Sequence, residues 1–447
     1  MTKDLTSGSV TKTMLLFAFP MILGNLLQQC YNIADSLIVG KFSGSGALAA
    51  VGSAYSLMTF ITSVIIGLCM GSGTVFSVCF GKGDRQKLKN SAAASFLFIA
   101  AVTVVMNIAV FALTDPILHI LNVPDDVYAM MRSYVVIVFG GLIFVFLYNY
   151  FAFLLRAIGN SAVPLYFLGA AAVINIALDI LLVAVFDMGT SGAAIATVIA
   201  QAVSGVGLGA YVVIKEPELL PKKHELEINS ALLKEVVRHS FAACIQQSVM
   251  NFGILMIQGL VNSFGTAVMA AFAAAVKIDS FAYMPAQEFG NAFSIFISQN
   301  HGGGKHDRVK EGMRKAATVS SAFCILVSAM IFIFAKYLMQ IFIDPSEADI
   351  ISTGIGYLRI EGSFYIGIGI LFLLYGFYRG IEKPEMSLVL TIISLGTRVL
   401  LAYVLSPVPA IGVVGIWSAI PIGWFLADLV GILYIKKALQ SAQKKNG

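Results

Sequence analysis

Gly44-Ser-Gly-Ala-Leu-Ala-Ala50 returns 221 positions later as Gly265-Thr-Ala-Val-Met-Ala-Ala271. The same spacing aligns Gly81 and Gly83 with Gly302 and Gly304, and Lys89 with Lys310. Upstream, after a short gap, Gln28, Gln29 and Asn32 answer Gln246, Gln247 and Asn251. A chain that repeats itself over this distance is two copies of one unit. The longest polar stretch, Lys215 to about Ser230, contains Pro217 and Pro221 and reads as the linker between them. This divides the chain into an N-terminal lobe (1–214), a cytoplasmic linker (215–235) and a C-terminal lobe (236–447).

The medium each copy folds in follows from composition. Of 447 residues, 58% are hydrophobic and 12% charged, against roughly a quarter charged in soluble domains. Mean hydropathy is +0.87. Such a chain dissolves in lipid rather than around one aqueous core. Crossing a bilayer takes about 20 apolar residues. Runs of that kind predict twelve helices, near 14–39, 47–80, 90–113, 127–155, 162–186, 190–214, 236–262, 266–298, 314–342, 349–378, 385–405 and 411–435. Lys3 and Lys12 precede the first, but its apolar run outlasts a signal sequence and lacks a small-residue cleavage site, so it reads as a retained helix.

Charge placement tests that count. With the N-terminus inside, 23 of the 29 Lys and Arg fall in inner segments, from Lys3 and Lys12 to Lys444 and Lys445. Only Lys41 and Lys336 fall on the outer side, and Arg132, Lys277, Arg359 and Arg398 lie within spans. Cytoplasmic loops hold the basic excess, so both termini are expected in the cytoplasm. The net charge of +5 is then a topology signal and calls for no nucleic-acid partner. Six spans per copy is an even number, so both copies insert with the same orientation. The expected architecture is an all-α polytopic membrane protein with two parallel six-helix lobes around a central cleft, a plan for alternating access.

The sequence offers no machinery for bond chemistry. It has no Gly-x-x-x-x-Gly-Lys-Ser/Thr loop, no His-Glu-x-x-His and no Gly-x-Ser-x-Gly, which removes the usual signatures of nucleotide use and hydrolysis. His301 and His306 flank an inner glycine turn, where solvated side chains are the plain reading. The five cysteines lie in apolar segments without paired spacing, as small apolar residues would. An ion gradient is then the available driving force, one elementary charge being worth about 2.3 kcal/mol per 100 mV.

Ionisable residues inside spans are costly and mark function. The N-terminal copy has two acidic residues well inside its spans, Asp35 and Asp179. A rise of 1.5 Å per residue places them about 8 and 10 Å below the outer ends of their helices, with Thr197 about 10 Å deep on the next span. Asn175 precedes Asp179 by four residues and shares its helical face. Two carboxylates close together in a poor dielectric favour uptake of a proton by one of them, and carboxylate, amide and hydroxyl oxygens equally suit Na⁺ at Asp35 and Asp179. A satisfied interhelical hydrogen-bond network is the structural alternative. Pro20, inside the first span, removes a helical hydrogen bond and marks a weak point. The C-terminal copy places Lys277, Asp279, Arg359, Glu361 and Arg398 near mid-depth, where mixed signs predict mutual ion pairing. Gly67-x-x-x-Gly71, Gly205-x-x-x-Gly209 and Gly376-x-x-x-Gly380 predict close helix packing.

These residues in this order resemble the multidrug and toxic compound extrusion (MATE) family, over nearly the whole chain and closest to its bacterial drug-exporter branch. The resemblance rests on Pro20-Met-Ile-Leu-Gly-Asn25, Gln28-Gln29, Tyr31-Asn32-Ile-Ala-Asp35, Gly40, Ala47-Leu-Ala-Ala50, Asn175-x-x-x-Asp179, Gly192-Ala-Ala-Ile-Ala-Thr197, Gln246-Gln247, Val261-Asn-Ser-Phe-Gly265 and Gln299-Asn300. It implies a multidrug antiporter in the bacterial cytoplasmic membrane, working as a monomer without cofactor or nucleotide. Such an antiporter exports organic cations or amphipathic drugs in exchange for H⁺ or Na⁺. By the same resemblance the cation site is Asp35, Asn175, Asp179 and Thr197, and bending at Pro20 accompanies release. Gln28, Tyr31, Asn32, Gln246, Gln247 and Asn251 become candidate cleft residues. Some family members also use carboxylates on spans 7 and 10. Here span 7 has none, leaving Asp279, Glu361 and Arg398 as lesser C-terminal candidates. Two other readings stand beside this one: a lipid-linked oligosaccharide flippase of the same superfamily, whose cleft would be more cationic, and a membrane-embedded enzyme or receptor.

Overall fold

The computed structural model describes residues 4–120, 123, 125–222, 225–227 and 229–446; the topology markers Lys3 and Lys223 lie outside them. Among the described residues there are thirteen α-helices and no strand. An apolar backbone in lipid has to satisfy its hydrogen bonds internally, and helices do so within one segment. The long helices are α1 (Val10–Lys82), α2 (Arg85–Ile120), α6 (Gly189–Lys215), α7 (Ser230–Asn262), α8 (Thr266–Gly302), α9 (His306–Met339) and α13 (Val413–Asn446). Between them lie α3 (Asp125–Gly140), α4 (Leu142–Ala157), α5 (Ala162–Asp179), α10 (Ala348–Gly362), α11 (Tyr365–Gly380) and α12 (Pro384–Leu405).

Twelve spans follow from these thirteen helices. Helix α1 breaks at Gly44 into two span-length arms, Val10–Gly44 and Gly46–Lys82. Two pairs of shorter helices each make one bent span, α3 with α4 at 44° and α10 with α11 at 51°. Side chains confirm the solvent. Helices α2 and α9 carry bare apolar residues such as Val105 (66% exposed) and Ile333 (66%), surfaces that only hydrocarbon would cover.

The repeat read from sequence is a repeat of backbone conformation. Gly44 sits at φ 86°, ψ 177° and Gly265 at φ 93°, ψ 171°, a region open to a residue without a Cβ. The inner-loop glycines Gly83 and Gly304 match as well, at φ 74° and 69°. Further along, the spacing becomes 223, where Gly159 (φ 86°) answers Glu382 (φ 61°) and Gly189 (φ 56°) answers Gly412 (φ 52°). The two bent spans fall at corresponding places.

The chain forms two compact units, one holding Leu23–Cys244 and the other Leu5–Ile22 with Ile245–Gly447. Each has its own apolar core. Phe76, Phe146, Tyr150 and Leu154 are central to the first, Phe272, Phe296, Tyr357 and Trp417 to the second. The backbone of α1 stays helical through Pro20, and the chain passes from one unit to the other just beyond it, between Ile22 and Leu23.

Within the second unit, the segment before α1 is tied down by polar groups of α8 and α9. Leu5 N–H donates to Gln299 Oε1 (3.3 Å), Asn300 Nδ2 donates to Leu5 O (3.1 Å), and Lys305 Nζ donates to Thr6 O (2.8 Å). Arg308 donates to the carbonyls of Ser7 (2.6 Å) and Gly8 (2.7 Å). In the first unit the linker is pinned in a comparable way. Gln86 Nε2 donates to Glu225 O (2.6 Å) and Lys89 pairs with Glu225 (2.9 Å). The Lys89 ammonium and the Lys222 N–H hold the Glu225 carboxyl below the usual carboxylate range.

All three small-residue motifs pack as expected. A Cβ on Gly67 would lie 2.5 Å from Cys244 Cα, and one on Gly71 would meet the backbone of His239 and Ser240. A Cβ on Gly205 would lie 2.6 Å from Phe144 O, and one on Gly376 2.5 Å from Gly290 O. Beside Gly71, Ser72 and Ser240 share a hydrogen bond of 2.8 Å. Backbone cannot move aside as a side chain can, so Gly71→Val is expected to cost at least about 1–3 kcal/mol. The change should show as a lowered melting temperature in detergent, while Gly52→Ala, with nothing within 4 Å of its Cβ, leaves the transition unchanged. Equal melting of the two variants would refute this contact.

Candidate functional site

In the first unit, helices α1 and α5 bring Asp35 and Asp179 together in an apolar interior. Asp35 is 8% exposed, Asn175 1% and Asp179 not at all. The two carboxylates lie within reach of each other's charge, and the Tyr134 hydroxyl on α3 lies within reach of both. Asp35 Oδ1, both oxygens of Asp179 and both polar atoms of Asn175 have no hydrogen-bond partner among the described residues. Among those residues no lysine or arginine acts on either carboxylate. Buried polar groups are normally paired, and a buried anion without a counter-charge is costlier still. Four oxygens and one amide nitrogen on two helices are therefore left without a hydrogen-bond partner among the described residues.

Thr197 is expected in this group from its depth and from the family resemblance. The structure leaves its side chain half-buried on α6, and neither oxygen of Asp179 receives a bond from it. Directly after Asp179 the helix widens into a π segment, Ile180–Val185, closed by Phe186 N–H to Leu181 O (2.9 Å) and Met188 N–H to Leu182 O (2.9 Å). Such bulges alter the local register of a helix and recur at functional sites. Neither the π segment nor Tyr134 was marked in the sequence. A π bulge leaves no residue pattern, and a lone tyrosine in an apolar span carries no sign of what it faces.

The candidate cleft residues divide between the units. In the first, Tyr31 bonds Gln28 and lies within electrostatic reach of Tyr55, Tyr148 and Asp35. The backbone carbonyl of Asn32 accepts from Ser36 Oγ (3.0 Å). In the second, Gln246 is 2% exposed and its Oε1 has no hydrogen-bond partner among the described residues, and Asn251 Nδ2 donates to Gln247 O (3.2 Å).

The five charged residues expected to pair in the C-terminal copy separate into two sets. Lys277 lies over the Phe342 ring (5.9 Å) and Arg359 over Phe332 (5.1 Å), contacts that hold a cation by the ring quadrupole. Asp279, Glu361 and Arg398 converge. Asp279 accepts from Tyr365 Oη (2.6 Å) and Tyr357 Oη (3.5 Å). Three of the five thus lie within electrostatic reach of one another, while no ion pair joins Arg398 to either carboxyl among the described residues. Lys277 and Arg359 point to rings because each sits on a different face of its helix from the acidic residue two positions away. Of the inner-end histidines read as solvated, His301 is 3% exposed and 3.6 Å from Glu382. A glycine turn does not by itself keep a preceding side chain in water.

Comparison with known proteins agrees with this architecture. The MatE family model matches residues 20–181 and 240–404, once in each copy. A probable multidrug resistance protein, YpnP of Bacillus subtilis, is 32% identical over 88% of this chain and 87% of its own. The probable multidrug resistance protein NorM of Thermotoga maritima is 26% identical over 94% and 90%. A solved MOP superfamily transporter from Pyrococcus furiosus superposes with a TM-score of 0.92 over 98% of both chains, at 22% identity, and so shares the fold. A twelve-span duplicated chain matched in both halves by one family model belongs to the MatE family of multi-pass membrane transporters.

Proposed function

We propose that this chain is a secondary active exporter that exchanges organic cations or amphipathic drugs for H⁺ or Na⁺ at Asp35 and Asp179. The observation that carries this reading is the pair of buried carboxylates within electrostatic reach, with no counter-cation among the described residues. The names of YpnP and NorM as multidrug resistance proteins support the substrate class. Of the other readings, the flippase would want a cationic cleft, whereas the N-terminal unit's set is acidic.

The mechanism follows from the charge balance. With both carboxylates ionised the pair repels itself in a medium that screens poorly. A proton or Na⁺ arriving from outside neutralises part of that charge and draws α1 and α5 together, with Asn175 supplying an amide oxygen. Pro20, which lacks an N–H to tie the helix to its preceding turn, gives α1 a place to change angle as the pair closes. Organic cations compete for the same carboxylates and leave outward once the coupling ion is bound. The two lobes, 1–214 and 236–447 joined by 215–235, work in a bacterial cytoplasmic membrane, one chain per transporter.

Asp35→Asn and Asp179→Asn are each expected to slow efflux of a fluorescent cationic dye from proteoliposomes by about 10-fold or more, a cost of at least roughly 1.4 kcal/mol in the coupled step. The driving force is imposed as a pH gradient alone or a Na⁺ gradient alone, which also identifies the coupling ion. Undiminished efflux in both variants would overturn the mechanism, and movement of lipid-linked oligosaccharide without dye movement would favour the flippase. Topology has its own check. Single cysteines introduced at the exposed positions 9 and 440 in a chain lacking its native cysteines should react with a membrane-impermeant maleimide only after the inner face is opened. Labelling of either position in intact cells would contradict cytoplasmic termini.

A further inference from the structure

The second unit grips the segment ahead of α1 by its main chain, and neither the proposed exchange nor the family match gives that grip a task. Arg308, the third residue of α9, donates through Nη1 to Gly8 O (2.7 Å) and through Nη2 to Ser7 O (2.6 Å) and Leu5 O (3.3 Å). Lys305, just before α9, donates to Thr6 O and Thr6 Oγ1, both at 2.8 Å. Every carbonyl from Leu5 to Gly8 is thereby taken by a cation at the start of α9. At the end of α8, Gln299 and Asn300 are fully buried and bond the N–H and C=O of Leu5, whose side chain is buried as well. The Arg308 guanidinium lies over the Phe296 ring at 5.6 Å. Charged donors make stronger hydrogen bonds than neutral ones, and a guanidinium offers its donors in one rigid plane.

The internal repeat uses the same device twice. At the spacing of 221, Arg308 is matched by Lys87, the third residue of α2. Lys87 pairs with Glu235 of α7 at 2.8 Å, and beside it Asn90 Oδ1 accepts from Glu227 N–H of the linker (3.3 Å). Each basic residue thus ties down the start of the first helix of the other repeat. Both first helices begin in the core of the unit that ties them. Met14, Phe17 and Met21 of α1 lie in the second core, and Val236, Ala243 and Cys244 of α7 in the first. Each helix then changes unit, α1 between Ile22 and Leu23 and α7 between Cys244 and Ile245. The swap of helix starts is reciprocal, and it makes the inner arm of α1 part of the second unit.

We propose that Arg308 is a positioning residue for cation-coupled export: it straps the inner arm of α1, residues 10–22, to α8 and α9, so that a pull on Asp35 becomes a change of angle at Pro20 instead of a shift of the whole helix. This rests on the reading of Asp35 as a coupling residue. Helices in lipid are held to one another mainly by van der Waals packing, and a helix without a polar anchor answers a sideways pull by sliding or tilting as a rod. The inner arm of α1 has an anchor, in charged hydrogen bonds to four consecutive carbonyls. Displacement then concentrates where the helical ladder is incomplete. Pro20, without an N–H, supplies that place two residues before the last residue of the arm, Ile22. At 1.5 Å per residue Asp35 lies about 22 Å beyond Pro20, so a change of about 10° there carries it roughly 4 Å. Charge interaction falls with distance and is strong in a poor dielectric, so a movement of that size changes what the carboxylate feels. Without the strap the same pull moves the inner arm as well, and less of it reaches the angle at Pro20. Arg308 acts through α1, which makes its effect one on rate and not on binding.

The test uses the purified full-length chain in proteoliposomes with a fluorescent cationic dye. Export driven by an imposed pH or Na⁺ gradient is measured over a range of dye concentrations and expressed per dye-binding site, so that unfolded protein does not count. Arg308→Ala is expected to lower kcat at least about 5-fold while KM and the dye Kd stay within about 2-fold of the parent. Pro20→Ala, which restores the helical hydrogen bond, is expected to lower kcat too. The double variant should be no slower than the slower single one, because the two changes disable one device and so do not add. An undiminished kcat in Arg308→Ala, a loss that appears in KM or Kd, or losses that multiply in the double variant each overturn the proposal. Should Arg308→Ala fail to fold, Lys305→Ala, which removes both bonds to Thr6, is judged by the same three criteria. A parent that exports dye under neither gradient refutes the exchange reading and this inference with it, whereas an exporting parent whose Arg308→Ala variant exports as well refutes the strap alone.

Discussion

A carboxylate taken out of water must be offered a proton, a metal ion or a base, because a poor dielectric multiplies the cost of an uncompensated charge. The organisation of this protein follows from how its two halves meet that demand. In the first, α1 and α5 bring Asp35 within the field of Asp179, and among the described residues no lysine or arginine acts on either. In the second, Asp279 accepts from two tyrosine hydroxyls, with Arg398 within electrostatic reach. One fold, duplicated, surrounds its buried carboxylates in two different ways.

The scaffold around these groups is rigid where it must be. Small residues bring helix backbones into contact at Gly67, Gly71, Gly205 and Gly376, and in lipid such packing takes over what the hydrophobic effect does in water. Irregularity is confined to particular places. The backbone breaks at Gly44 and Gly265, the paired short helices bend, and α5 widens after Asp179. The start of α1 is roped to α8 and α9 by hydrogen bonds from Lys305, Arg308 and Asn300. From Leu23 on, α1 belongs to the other unit. The changeover follows shortly after Pro20, which cannot make a full set of helical hydrogen bonds.

The site was legible in part. Asp35 and Asp179 stand out in sequence because carboxylates are rare in spans, and the i, i+4 spacing of Asn175 and Asp179 places both on one helical face. Their depth followed from counting residues. Thr197 shares that depth, but level alone does not bring a side chain within bonding distance. The C-terminal charges were grouped by depth as well. Helical rotation then sent Lys277 and Arg359 to aromatic rings and left Asp279, Glu361 and Arg398 together. Depth is a linear count along the chain, whereas partnership depends on azimuth and on which helix lies next to which.

Taken alone, the amino-acid sequence determined the lipid solvent, twelve spans, the duplication and the family, since each rests on composition or on order along the chain. Hydropathy and repeat spacing are sums over neighbouring residues and need no knowledge of distant contacts. Only the tertiary structure decided which charged residues lie within electrostatic reach of one another, and that among the described residues Asp35 Oδ1, both oxygens of Asp179 and both polar atoms of Asn175 lack hydrogen-bond partners. Those facts depend on helices far apart in sequence packing at one angle and register. A change of one residue in that register would turn each side chain toward different neighbours.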